Sequence, residues 1–224
     1  MKLIALCMVF VLSMGSSVFA ASNPTLTQTI TAGVLSTDIL DATRTPVTSP
    51  TVTMSTKAFS FDCQAGINAS SGTLGTNSER VYLINPSGAN NGWTLTMAAT
   101  AGATATWSNA GATNKFDFND PSGAPAGCAD GADTDTQSGQ MTVDPSVGTL
   151  TTDCSSCTLT GVTKGASAAY SQGVTDSVTV LSAGATSDDV WRGYLTGGSI
   201  KQVIPGETPA DAYSLNLTLT ATAI

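Results

Sequence analysis

Residues 92–97 read Gly92-Trp93-Thr94-Leu95-Thr96-Met97, and residues 212–220 read Ala212-Tyr213-Ser214-Leu215-Asn216-Leu217-Thr218-Leu219-Thr220. Each stretch leads with an aromatic residue and then alternates apolar residues with Thr, Ser or Asn. A period of two places the apolar residues on one face of a strand. Working outward, Arg80-Val81-Tyr82-Leu83-Ile84 is a strand closed by the turn signal Asn85-Pro86-Ser87-Gly88. Further strands are expected at residues 25–30, 34–40, 52–54, 58–61, 103–107, 140–143, 159–162, 168–170, 176–181, 191–195, 199–204 and 213–222. Residues 65–75 read as a Gly/Ser/Asn loop, and residues 109–140 as a long irregular acidic loop. No stretch keeps a long 3.6-residue apolar period, and one short helix is expected near residues 183–190. Many short strands separated by turns predict an all-β fold. The expected form is a mostly antiparallel β-sandwich with Greek-key or immunoglobulin-like connections.

Composition agrees with strands and turns. Only 11% of residues are charged, less than half the usual ~25%. Thr, Ser, Asn and Gly supply the polarity instead. The net charge of −8 argues against binding nucleic acid, anionic lipid or teichoic acid by bulk attraction. Any contact with an anionic surface then rests on hydrogen bonds, aromatic stacking or bridging cations.

The first twenty residues read as a secretory signal. Lys2 is the positive start, residues 3–14 are almost continuously apolar, and Gly15-Ser16-Ser17-Val18-Phe19-Ala20 supplies small residues before a cut after Ala20. The apolar run is shorter than the roughly 20 residues a membrane span needs. The expected organisation is a signal peptide at 1–20 and one β domain at 21–224, with no transmembrane segment once the signal is removed. No Leu-Pro-x-Thr-Gly-type sorting signal is read, so the expected location is extracellular, released or held at the cell surface by binding.

Beyond the signal the chain keeps Cys63, Cys128, Cys154 and Cys157. An even number in an exported chain reads as two disulfides, and four cysteines allow three pairings. The expected pairing is Cys154 with Cys157 across a tight turn, and Cys63 with Cys128 between distant segments. A four-cysteine zinc site would want a second Cys-x-x-Cys. A redox role for Cys154-Ser155-Ser156-Cys157 would want a following helix.

The stretch Gly92-Trp93-Thr94-Leu95, the approach Gln202-Val203-Ile204-Pro205, the turn Thr208-Pro209-Ala210 and the Tyr-led final strand together resemble the WxL domain, a bacterial cell-surface module. The resemblance runs from about residue 25 to the end. It departs from the family pattern in the last strand, where Leu217-Thr218-Leu219 stands in place of a second Trp-x-Leu. It implies non-covalent attachment to peptidoglycan or another envelope polymer, with partner surface proteins as further contacts. The binding residues it implies are Trp93, Leu95, Tyr213, Leu217 and Leu219. Trp93 reads either as an exposed platform for a sugar ring or, with Leu95 on the same face, as core.

Two other constellations stand out. Asp117, Asn119 and Asp120 precede Pro121, and Asp130, Asp133 and Asp135 follow Cys128. Alternating oxygen ligands in a Gly-containing loop suit calcium, with Asp130, Asp133 and Asp135 as candidate ligands, although no Glu closes an EF-hand loop. The alternative is a solvated acidic loop. Catalysis is not expected: the chain has no His, which excludes Ser-His-Asp and Cys-His systems. Paired carboxylates for glycoside hydrolysis would have to come from Asp residues in turns. A different class of function is a structural subunit of a filament or surface layer, assembling by strand addition through residues 213–223.

Overall fold

The computed structural model describes residues 27–89, 91–131 and 135–224. The expected signal peptide lies outside the described residues. The chain divides into two units, Met1–Thr31 and Ala32–Ile224. Residues 27–31 of the first are exposed and in no strand.

The second unit carries all the strands among the described residues. In chain order these are β1 (Ser36–Leu40), β2 (Ser70–Leu74), β3 (Arg80–Asn85), β4 (Trp93–Ala99), β5 (Trp107–Asn109), β6 (Lys115–Phe116), β7 (Met141–Asp144) and β8 (Thr149–Thr152). They continue with β9 (Val162–Lys164), β10 (Ala168–Ala169), β11 (Ser177–Ala183), β12 (Trp191–Thr196), β13 (Gly198–Gln202), β14 (Tyr213–Ser214) and β15 (Leu217–Ala223). Every ladder is antiparallel. The molecule is therefore all-β, as the alternation predicts, and no described helix is long and apolar enough to cross a membrane.

The strands form four sheets, ordered β1-β3-β12-β8, β10-β7-β13-β2, β15-β4-β11-β9 and β14-β5-β6. The first two keep the same neighbours: β3, β12 and β8 continue from β2, β13 and β7. They are two halves of one sheet folded at a corner. Gly75 and Gly197 make that corner. The Gly197 N–H donates to the Gly75 carbonyl at 2.7 Å, and both residues have positive φ, +74° and +75°. A Cβ on Gly75 would lie 2.5 Å from the Leu195 carbonyl oxygen, so the strands cross there only without side chains.

The β4 sheet packs against this folded sheet. Trp93, Leu95, Met97 and Ala99 all face inward from β4, and Trp191 and Leu195 do so from β12. The Trp93 and Trp191 rings meet across the layers with centroids 5.2 Å apart. Gly193 makes room for this, because a Cβ there would come within 2.5 Å of the Trp191 ring. At the other end of β4 the Tyr170 hydroxyl donates to the Met97 carbonyl at 2.7 Å, and Tyr170 packs edge-on against Phe118.

Several expectations are corrected. Of the strands expected at 25–30, 103–107 and 159–162, residues 27–30, 103–106 and 159–161 are in no strand. No helix forms at residues 183–190: β11 runs to Ala183, and a turn follows in which both the backbone N–H and the hydroxyl of Ser187 donate to the Gly184 carbonyl. Ser70–Leu74 is a strand, although its composition reads as loop, because β13 pairs with it along its whole length. Residues 52–54 and 58–61 join no ladder. They run as a strap along the free edge of β2, where the Ser55 N–H donates to the Ser71 carbonyl at 2.7 Å.

Cys63 is bonded to Cys128, with Cα atoms 5.6 Å apart, and Cys154 to Cys157, with Cα atoms 5.4 Å apart. The first closes a separation of 65 residues and the second one of 3. Loop entropy then assigns about 4 kcal/mol to the long bridge and about 2 kcal/mol to the short one. Replacing Cys63 and Cys128 by Ser is expected to lower unfolding free energy by roughly twice as much as the same change at Cys154 and Cys157, measured by urea denaturation.

Beside the short bridge, Asp153 ties distant segments together. Arg44 grips its carboxylate with two hydrogen bonds, 2.7 and 3.0 Å. The Tyr82 hydroxyl donates to it at 3.1 Å, and Arg192 donates to its backbone carbonyl at 2.7 Å. The hydrogen bond from Arg44 is the main reason the Asp153 carboxyl sits below its ordinary value. Ionised Asp153 therefore favours the fold above the unfolded carboxylate value, about 3.9, and that contribution is lost as pH falls through the lower folded value. Asp153→Asn is expected to melt at lower urea than the parent at pH 7, with the gap closing as pH is lowered through the acid range.

Candidate functional site

The segments that approach the final strand converge on one cleft of about 420 Å³. Its floor comes from β5, β6 and the end of β13. Trp107 and Phe116 face each other across the β5–β6 pair, rings 5.8 Å apart and nearly parallel at 11°. Tyr213 of β14 meets Phe116 edge-on at 5.0 Å. One wall is the strap, residues 54–60, which brings Lys57 and the exposed Phe59 to the rim. The other is the turn 208–212 with Pro205. The Tyr213 hydroxyl donates to the Pro209 carbonyl at 2.7 Å and closes that turn.

Gln202 holds the arrangement. It occupies an inward position of β13 and is 1% exposed. Its side-chain oxygen accepts the Trp107 indole N–H at 2.8 Å. Its amide donates to the carbonyls of Asp117 and Val203 at 3.0 and 2.7 Å. The ring of Trp107 is thereby fixed in one orientation, with part of its surface left to the cleft. At the far rim Asp211 accepts from Asn109 and Asn114. The bond from Asn109 is the main cause of its lowered pKa, so this end carries a negative charge at neutral pH. The cleft thus offers aromatic faces, hydroxyls and amides, one cation and one anion. That set suits a polar ligand with apolar ring faces.

The sequence-derived site residues fall in three places. Trp93 and Leu95 are 1% and 0% exposed. They face the opposite sheet and cannot touch a polymer outside the molecule, which corrects their assignment as binding residues; the two-residue spacing that makes them share a face also sends both into the core. Leu217 and Leu219 are half-buried at the edge strand β15 and pack against the core. Tyr213 alone of the five lines the aromatic cleft. The single Tyr-led strand expected at residues 213–222 is split: β14 pairs with β5, while β15 pairs with β4, Trp93 opposite Ala223 and Met97 opposite Leu219. The two stretches that carry the family resemblance are therefore neighbours in one sheet.

The acidic stretch also separates. Asp133 lies outside the described residues, and Asp130 and Asp135 are exposed. Among the described residues no group of three His, Cys, Asp or Glu is placed to hold a metal. Asp117, Asn119 and Asp120 are buried instead and serve the backbone. Asp120 accepts from the N–H groups of Ser122 and Gly131 at 2.8 and 3.0 Å, and Asn119 donates to the Ala103 carbonyl at 2.9 Å. Together with the Cys63–Cys128 bridge they pin the irregular loop to the body.

Gln202, Trp107, Phe116, Phe59 and Lys57 line the cleft and are not among the five binding residues that the resemblance implies. Gln202 had a signal: in Gly198-Ser199-Ile200-Lys201-Gln202 a polar residue stands at an inward position of the alternation. Trp107 had one as well, since like Trp93 it reads either as a platform for a sugar ring or as core; Phe59 had none, because its approach to the cleft depends on the strap.

No protein-family model matches the chain, and no curated protein or solved structure matches it either.

Gln202→Leu would leave the Trp107 N–H and two backbone carbonyls without their partner. Each buried unsatisfied group costs about 1–3 kcal/mol. The variant is expected to lose at least about 2 kcal/mol in urea unfolding and to redshift tryptophan emission as Trp107 loosens.

Proposed function

We propose that this is a secreted, non-catalytic surface protein of the WxL type that attaches non-covalently to the cell wall, with peptidoglycan as the polymer it holds. The observation that carries this reading is the convergence of Ile204-Pro205, Thr208-Pro209-Ala210 and Tyr213, three of the elements that bear the family resemblance, on the cleft built by Trp107, Phe116 and Phe59. Sugar rings present C–H faces to aromatic side chains and hydroxyls to amides and Ser or Thr, and this cleft pairs both kinds of group. Lys57, half-buried at its rim, matches the carboxylates that peptidoglycan carries. The two disulfides suit an oxidising, extracellular setting. With a net charge of −8, bulk attraction to an anionic wall is not available, so local contacts of this kind have to supply the affinity.

The test is retention of residues 21–224 on purified cell-wall sacculi, with and without EDTA. The parent chain is expected to co-sediment as a monomer in both conditions. Phe59 is half-exposed, so Phe59→Ala leaves the core intact. Loss of one ring contact, about 0.5–1.5 kcal/mol, lowers affinity by roughly 2- to 10-fold, and Lys57→Ala should act in the same direction. EDTA-sensitive retention would instead make calcium at Asp130, Asp133 and Asp135 part of the attachment. No retention in either condition would refute wall binding.

A further inference from the structure

The cleft at the end of β13 carries two charges of opposite sign. Lys57 lines it from the strap, and Asp211 lines it from the turn on the other wall. Lys57 is half-buried, and among the described residues no carboxylate pairs with it. Its ammonium group is free to take a ligand carboxylate. Asp211 is exposed, but its carboxylate is held in place. Asn109 donates to one oxygen at 2.7 Å and the Ala212 N–H to the other at 2.8 Å. The floor of Trp107, Phe116 and Tyr213 carries no charge.

The strap adds a third kind of group. Ser55 donates its N–H to the Ser71 carbonyl, and the Ser60 carbonyl accepts from the Glu207 N–H. The strap is thus tied at both ends of this stretch. Within it, among the described residues, the backbone N–H groups of residues 56–59 donate to no backbone carbonyl. Such groups are open to an acceptor brought by a ligand.

The two parts of peptidoglycan differ in what they offer this cleft. The glycan strand presents ring faces, hydroxyls and acetamides, all uncharged. The peptide stem presents carboxylates, amide carbonyls and, where it is not cross-linked, the ammonium group of a diamino acid. A fixed anion, a free cation and open backbone N–H groups match the second set.

We propose that the cleft holds the peptide stem of peptidoglycan and not its glycan strand, with a stem carboxylate on Lys57, the diamino-acid ammonium group on Asp211 and stem carbonyls on the N–H groups of residues 56–59. This rests on the wall-binding reading above and names the part of the polymer that is held. The aromatic floor packs against the methylenes of the diamino-acid side chain. The cleft, about 420 Å³, has the size of sites that take small ligands. Cross-linking turns the stem ammonium group into an amide, so binding is strongest where stems are left uncross-linked.

Calorimetric titration of residues 21–224 with the N-acetylated stem tripeptide Ala-γ-Glu-Lys, beside retention on sacculi, tests this. The parent is expected to bind the tripeptide one to one and to be released from sacculi by it. Amidating the carboxylates, or acetylating the side-chain amine, is expected to weaken binding by about 10-fold each. Lys57→Met is expected to keep the parent's melting curve and to bind the free-acid and amidated peptides equally. Equal binding of all three peptides by the parent would overturn the proposal. Retention on sacculi that stem-free glycan strands compete away and the tripeptide does not would overturn it too, and would leave wall attachment standing. Binding of the tripeptide without retention on sacculi would refute wall attachment and leave the charge-paired cleft standing.

Discussion

The contact between Trp93 and Trp191 is the constraint on which the rest of the structure depends. It joins the β4 sheet to the folded sheet at a ring separation of 5.2 Å. The core cluster around it is apolar and includes Val81, Leu83, Leu95, Leu181 and Leu195. Gly193 is bare because the Trp191 ring lies over it. Once the two rings are in place, β4 fixes the register of β15 on one side and β11 on the other. The tryptophan that carries the family resemblance is thus a fold determinant buried in the core, and the proposed binding surface lies elsewhere.

That surface is positioned by polar links at the margin of the same core. Gln202 sits at the end of β13, where the apolar face gives way to the cleft, and its three hydrogen bonds lock Trp107. The strap is tied to β2 through Ser55 and to residue 204 through Gln64, so Lys57 and Phe59 stand at a defined rim. Core, corner and cleft form a chain of consequences. The Gly75–Gly197 corner lets β13 leave the first half-sheet, and β13 then carries Gln202 to the place where β5, β6 and β14 meet it.

The strands with strong period-two alternation were legible in the sequence. Residues 80–84, 93–99, 140–143, 176–181 and 191–195 all lie in or overlap β-strands, because their apolar faces meet the core whatever the partner. The sequence left three disulfide pairings open, and the one found is the one expected from a tight turn at residues 154–157. β2 was not, since Ser70-Ser71-Gly72-Thr73 has no apolar face and becomes a strand only through its ladder to β13. Residues 52–61 failed in the opposite sense: they have strand-like residues and no ladder. The cleft was legible at Tyr213 and at its turn, but Phe59 of the strap lies 48 and 57 residues before Trp107 and Phe116 in the chain, and only tertiary pairing brings the strap to them. In the acidic stretch the sequence left the role of each carboxylate open, as carboxylates that cap backbone N–H groups, such as Asp120, have the same composition as carboxylates that bind a cation.

The most direct test of the account is to follow the three tryptophan indole N–H signals by NMR while soluble peptidoglycan fragments are added to residues 21–224. The account predicts that the Trp107 signal moves with saturation, together with the backbone signals of residues 57–60, while Trp93 and Trp191 stay unchanged in the core. Fragments that bind without moving Trp107, or that move only residues remote from the cleft, would contradict it.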